Sequence, residues 1–284
     1  MTTGTHHLID LDPAVVAERF GRGGYLVRHE LQDHPLTRLE ALAELADALP
    51  SDRLEHNLGS VGDVVLNADE VPRADLTPGE IVRTIESNGC WMVMGIHGIP
   101  GYDEILDELF VDIVRTLPAT EGAVRRRQGV IFLSAPNSTT PTHIDGEQGY
   151  LLQITGTKKV SIGKFVDDEA AHREIERYCG GGHRNIADLP ASAEEFDLSP
   201  GVGVHVPALT PHLVKTPAGV SISMSVGFET DALVRRAAVY RANDRLRRLG
   251  MSPARPGARP RGDRAKERVM TTASAVKRLA NRRS

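Results

Sequence analysis

The chain of 284 residues, 40% of them hydrophobic, is long enough for one large domain with appendages and apolar enough to bury a core. Its net charge of −4 hides an asymmetry: residues 231–284 carry 16 Lys and Arg against 4 Asp and Glu, which leaves the preceding body strongly acidic. Two cysteines exclude a disulfide framework, MTTGTHHLIDLDP lacks the basic and apolar regions of a secretory signal, and no apolar run approaches the ~20 residues of a membrane span, so a soluble cytoplasmic protein with no membrane partner is expected.

No internal repeat is present. DPAVVAERFGRGGYLVRHEL predicts a short helix, a Gly-rich turn and a strand around Tyr25 to Val27. LTRLEALAELADALP places Leu39, Leu42, Leu45 and Leu49 at helical spacing and stops at Pro50. CWMVMGIHGI, residues 90–99, predicts a buried strand, and YDEILDELFVDIVRTL an amphipathic helix with Ile105, Leu109, Ile113 and Leu117 on one face. From Gln128 the texture changes to short strands: GVIFLSAP, GYLLQIT, KKVSIGKF, GVGVHVPAL and GVSISMSVGF. VSISMSV alternates apolar residues and Ser with period two, the pattern of a half-buried strand. Residues 166–199 predict a helix and then a loop inserted between strands. ALVRRAAVYRANDRLRRLG is helical, SPARPGARPRG is a linker, and RAKERVMTTASAVKRLANRR is a last helix or disordered. Short strands at close spacing argue for a sandwich or barrel. The expected organisation is an N-terminal mixed α/β extension over 1–89 packing on the core, a β core over 90–230, and a basic helical tail over 231–284, partly flexible.

The chemistry concentrates in TTPTHIDGEQGYLLQITGTKK, residues 139–159. In a strand, residues i and i+2 share a face, so His143 and Asp145 aim an imidazole and a carboxylate at one point while Ile144 points away. Both groups are ligands for a divalent first-row metal. A third ligand should come from a neighbouring strand, and VPALTPHLVKT offers His212. Two histidines and one carboxylate leave open positions on the ion, the arrangement of non-haem Fe(II) oxygenases. Lys158 lies on the return strand of a hairpin closed by TGT. A lysine pointing into a barrel is costly unless an anion meets it. A dicarboxylate cosubstrate would be that anion, with the Thr140 hydroxyl as a second donor. Strand parity turns Lys159 outward.

These residues resemble the cupin-like Jumonji-C group of Fe(II)/2-oxoglutarate oxygenases, including its asparaginyl-hydroxylase branch. The resemblance rests on Thr140, Pro141, His143, Asp145, Gln153, Gly156, Lys158, Pro207 and His212, at matching spacings. It spans residues 90–230, with weaker similarity from residue 20. It implies a mainly β protein with flanking helices and a double-stranded β-helix (cupin, jelly-roll) core. It also implies His143, Asp145 and His212 as Fe(II) ligands and catalytic centre, with Lys158 and Thr140 binding 2-oxoglutarate. The implied reaction consumes dioxygen and decarboxylates 2-oxoglutarate to hydroxylate an amino-acid side chain of a peptide, protein or small metabolite. Related halogenases leave the Asp145 position empty for chloride, so the carboxylate implies hydroxylation. The chain departs from the family at Gly227, where Asn is frequent, and at Val202, where an acidic residue is common.

Other residues read more plainly. His205 is structural or pocket-lining, and Trp91 is core or pocket-lining. His6, His7 and His97 are surface or packing residues. Cys179 and His183 lack the second pair that a zinc site needs. Arg125, Arg126 and Arg127 read as a solvated strand approach or an anion site, and GRGG at 21–24 lacks the strand–turn–helix context of a nucleotide loop. The insertion at 166–199 is the candidate lid. The basic tail is solvated, attracted to the acidic body, or a nucleic-acid contact. Helices after the barrel dimerise related enzymes, so the resemblance implies a homodimer through Leu233, Ala237, Val239, Tyr240 and Leu246. Two alternative functions share these features: a non-catalytic cupin-type regulator whose basic tail binds nucleic acid, and an N-methyl-lysine demethylase using the same iron chemistry.

Overall fold

A computed structural model describes residues 7–59, 61–65 and 74–281, the side chains of 273–281 excepted. The strands are β1 (Ile9–Asp10), β2 (Tyr25–His29), β3 (Leu54–Leu58), β4 (Cys90–Gly95), β5 (Val124–Ser134), β6 (Thr139–His143), β7 (Gln148–Thr155), β8 (Lys158–Lys164), β9 (Ala191–Leu198), β10 (Val202–Val206), β11 (His212–Lys215) and β12 (Ser221–Thr230). The helices are α1 (Pro13–Arg19), α2 (Leu39–Ala48), α3 (Pro78–Arg83), α4 (Tyr102–Thr116), α5 (Asp168–Cys179), α6 (Asp231–Arg248) and α7 (Pro260–Asn281).

Local chemistry sets many of these boundaries. Asp12 accepts from the Ala14 amide at 2.8 Å and Pro13 opens α1, while Thr77 and Glu80 cap α3 reciprocally. In α4, Ile105, Leu109 and Ile113 are buried while Val111 and Val114 are exposed, as the helical repeat requires.

The strands form an eight-stranded sheet, ordered β1-β2-β10-β7-β12-β5-β4-β3, and a four-stranded sheet, ordered β6-β11-β8-β9. Every pairing between named strands is antiparallel. This is a cupin jelly-roll core with flanking helices. Residues before 90 supply β1, β2 and β3 to the large sheet.

Two apolar layers place the core. On one face of the large sheet, Met92, Met94, Ile131, Leu133, Leu152, Met224, Val226 and Phe228 pack with residues of α2, α3 and α4. Between the sheets, Leu151, Val204 and Val206 of the large sheet pack with Val160, Ile162 and Leu198 of the small one. The alternation in β12 therefore carries a different meaning from the one expected. Ser221 and Ser223 are as buried as Ile222 and Met224, because the serine face lines the barrel interior instead of meeting solvent.

Two further expectations are corrected. β7 and β8 do not pair with each other: β7 lies between β10 and β12, and β8 between β11 and β9. The TGT turn is a corner between sheets. Gly156 sits there at φ +69°, with its Cα facing the Val220 carbonyl so closely that any Cβ would collide. Gly156→Ala is expected to destabilise the protein by about 2 kcal/mol or more, read as a lower urea midpoint. An unchanged midpoint would refute this account of the corner. The second correction concerns residues 166–199, whose latter part is not a loop throughout: β9 pairs along β8. The last helix forms, as α7.

Candidate metal and cosubstrate site

His143 ends β6 and His212 begins β11, and the two residues sit directly opposite each other in the small sheet. Their rings lie 4.0 Å apart, centre to centre. The Nδ1 of His143 is 2.8 Å from the Pro141 carbonyl oxygen, and that of His212 is 2.9 Å from the Thr210 carbonyl oxygen. A carbonyl only accepts, so each Nδ1 carries the proton and each Nε2 turns a free lone pair toward its partner. Asp145 completes the group: its Oδ2 is 3.4 Å from His212 Nε2 and 3.7 Å from His143 Nε2. Among the described residues, these three form the one cluster of His, Cys, Asp or Glu able to hold a metal ion.

Electrostatics keep the cluster ready for a cation. Burial, the neighbouring His212 and Arg184 all hold His143 well below the usual imidazole range, so it is neutral. Burial alone would raise the Asp145 carboxyl, but the neighbouring His143, His212 and Arg184 outweigh it and hold it well below the usual carboxylate range. Ile144, between the two ligand-type residues, points the opposite way. It packs with Ile175 of α5, Ile186, Leu209, Leu233 and Tyr240 of α6, so the insertion and the C-terminal helix clamp the strand from outside. Leu209 is held at φ +58°, an unusual conformation for a branched side chain, and its amide donates to the Asp145 carbonyl at 2.7 Å.

One cavity is lined by all five residues singled out in the sequence: His143, Asp145, His212, Lys158 and Thr140. Phe132, Leu151, Val206 and Val214 supply apolar wall. Lys158 is 4% exposed. Its Nζ donates to Ser223 Oγ at 2.7 Å and lies 5.3 Å from the Phe132 ring centre. No carboxylate of the described residues pairs with it, and burial pushes its ammonium down to about 7. Lys159 faces outward and pairs with Asp197 at 3.0 Å.

Ser223, Glu147 and Arg184 join the site without having been singled out by the sequence. Ser223 is visible there as part of the Ser alternation but belongs to the buried face. Glu147 continues the i, i+2 series of His143 and Asp145, a signal that is present. It lines the cavity, is held by the Gln128 amide, and is raised to about 7 by burial and by Asp145. At Gly227, where Asn is frequent in the family, a Cβ would come within 2.8 Å of Glu147 Oε1, so a side chain there would require Glu147 to shift. Nothing in the sequence marks Arg184.

The remaining candidates lie elsewhere. His205 is fully buried outside the cavity, stacked on Phe20 and Tyr25 at 4.9 and 4.7 Å, and burial holds it neutral at about 3. Trp91 is half-buried on β4 and away from the cavity. His7 pairs with Asp112 at 2.8 Å, His97 is exposed, and His6 lies outside the described residues. Cys179 packs beside the Ile144 cluster and joins no metal cluster among the described residues. Arg125, Arg126 and Arg127 pair with Asp231, Glu229 and Asp107. In the tail, Arg247 pairs with Glu176 and Arg255 with Glu169 of α5. Leu233 and Tyr240 pack inside the chain, and Ala238 and Ala242 pack against Met270 of α7.

The donor set fits Fe(II): two imidazoles and one carboxylate converge, with open cavity beside them. A buried amine in the same cavity fits the anionic cosubstrate, 2-oxoglutarate. Comparison with known proteins agrees. Residues 121–234 match the family model described as the JmjC domain. No curated protein matches the chain in sequence. The structure of YcfD, a ribosomal oxygenase from Escherichia coli, in complex with cobalt and 2-oxoglutarate superimposes with a TM-score of 0.54 at 16% identity, covering 94% of this chain and 68% of that one. A second crystal structure of YcfD gives 0.53 at 15% identity, covering 95% and 68%. At such identities the structural likeness speaks for the fold. Residues 121–234 thus match the JmjC domain, and the His–Asp–His cluster inside the barrel, whose donor set fits Fe(II), lies within that stretch.

Proposed function

We propose that the protein hydroxylates an amino-acid side chain, carried by a peptide, a protein or a small metabolite. The observation that carries this reading is the cavity shared by the His143–Asp145–His212 cluster and an unpaired buried lysine. When bound, Fe(II) supplies the dioxygen chemistry, in which 2-oxoglutarate loses CO2 to become succinate and one substrate C–H becomes C–OH. His143 and His212 hold the ion through Nε2, each ring locked by its Nδ1–carbonyl bond. Asp145 supplies the third, anionic ligand and offsets part of the ionic charge. Lys158 meets the far carboxylate of 2-oxoglutarate, steadied by Ser223, with the Thr140 hydroxyl as a further donor. The apolar wall of Phe132, Leu151, Val206 and Val214 keeps water from the reacting centre.

Purified protein supplied with Fe(II), 2-oxoglutarate, dioxygen and a candidate substrate is expected to form succinate. A screen of peptides and free amino acids should then show a product 16 mass units heavier, one oxygen gained, with succinate formed in equal amount. Formaldehyde released from methyl-lysine peptides would replace hydroxylation by demethylation. Absence of succinate from protein that binds the metal would overturn the enzymatic reading in favour of a sensor.

A further inference from the structure

The two oxygens of Asp145 have different neighbours. Oδ2 faces the Nε2 atoms of both histidines, whereas Oδ1 lies 3.3 Å from Arg184 Nη1. Arg184 belongs to the insertion between α5 and β9, and it also lines the cavity. Its side chain, like that of Asp145, is 33% exposed, so the ion pair sits at the wall of the cavity and not in free solvent.

The backbone holds this guanidinium in place. β6 is the edge strand of the small sheet, and segment 183–186 runs along its free edge. The Ile144 amide donates to the Arg184 carbonyl at 3.1 Å, the Ile186 amide donates to the Thr142 carbonyl at 3.1 Å, and Asn185 bridges His143. Arg177 of α5 donates to the carbonyls of His183 and Asn185, both at 2.7 Å. The segment is thus stitched on one side to the strand bearing His143 and on the other to α5.

A carboxylate can ligate a cation through one oxygen or both. Two histidines and one carboxylate oxygen would leave open positions on the ion for the cosubstrate. A second carboxylate oxygen would remove one of them. We propose that Arg184 is a positioning residue of the metal centre: it holds Oδ1 of Asp145 aside so that Oδ2 alone meets the ion, and it thereby ties the α5 insertion to the ion's coordination. This rests on the reading of His143, Asp145 and His212 as the metal ligands.

Co(II) alone, titrated into the full chain without cosubstrate, tests it through the visible absorption of the bound ion. Arg184→Gln is expected to change the band shape and intensity, because Oδ1 is released to the ion, and to tighten Co(II) binding several-fold, because an oxygen donor is gained and a neighbouring positive charge is lost. Arg184→Lys, which keeps the charge, should reverse part of both. Melting curves of the metal-free variants should overlay the wild type, since the residue is one-third exposed. Wild-type spectra and affinity in Arg184→Gln would overturn the positioning role while leaving the metal centre intact. Equal changes in Arg184→Lys and Arg184→Gln, accompanied by a lower melting temperature, would show a structural role and overturn it too. Wild-type protein that binds no Co(II) would overturn the metal-centre reading and this proposal with it.

Discussion

Asp145→Ala is expected to lower turnover by more than about a hundredfold, since even the outer partners of metal ligands are worth 10–100-fold. The two imidazoles that remain are neutral donors, and neither offsets the charge of a divalent ion. The same variant separates function from folding. Asp145 is one-third exposed and on the cavity wall, so its loss leaves no empty space in the apolar core. Metal-free wild type and variant should therefore melt within a few degrees of each other. Metal added at about 100 times its dissociation constant should stabilise the wild type by about 2.7 kcal/mol and leave the variant unmoved. Retained turnover, or a metal-induced stabilisation that survives in Asp145→Ala, would remove this residue from the ligand set.

Lys158→Met should carry the second large effect, on 2-oxoglutarate. Methionine has a similar length and no charge, so the wall is kept and the anion partner is lost. The KM for 2-oxoglutarate is expected to rise about a hundredfold or more, as for a buried charge pair deprived of one member. The pH dependence gives an independent check. With Lys158 at about 7 in the free protein, burial being the cause, the amine is mostly neutral at pH 8. An anion there needs the ammonium, so binding must draw a proton from solution. The dissociation constant of 2-oxoglutarate should rise toward tenfold per pH unit above pH 7, and calorimetry in buffers of different ionisation enthalpy should show proton uptake. Lys158→Met should lose both features. Stability is linked to the same group. Unfolded lysine titrates near 10.4 and the folded one near 7, so between these values the unfolded chain binds more protons. Folding of the free protein should therefore gain stability as pH rises from about 7 to about 10, by an amount of a few kcal/mol. Below pH 7 the penalty is constant. A flat 2-oxoglutarate affinity from pH 7 to 9 would contradict the assignment of Lys158.

How much of the site is legible in the sequence depends on distance along the chain. His143 and Asp145 are two residues apart, and strand parity predicts a shared face; β6 ends at His143, so Asp145 reaches that face from the segment just beyond the strand. His212 is remote, yet its pairing with β6 is expected because a third ligand has to come from a strand alongside. Lys158 does point into the barrel, but not for the reason that a hairpin would give: its strand does not return beside β7 but turns into the other sheet. Parity survives that difference because it depends on the strand's own pleat, not on its neighbour. Ser223 shows the reverse case. Its period-two pattern does mark a strand, but period two cannot tell a solvent face from a polar cavity, since both want serine.

By itself, then, the amino-acid order determined the features that obey local rules: helix phasing in α2 and α4, caps, the strand-rich middle, and the spacing of metal-type and anion-binding side chains. Only the tertiary structure decided which sheet each strand joined, that the serine face of β12 looks inward onto Lys158, and that Arg184 from an insertion reaches Asp145. The physical reason is that backbone pleat and helical pitch are set by neighbours a few residues away. Sheet membership and the meeting of Arg184 with Asp145 depend on groups tens of residues apart, and no local pattern encodes which of many distant partners will be closest once the barrel closes.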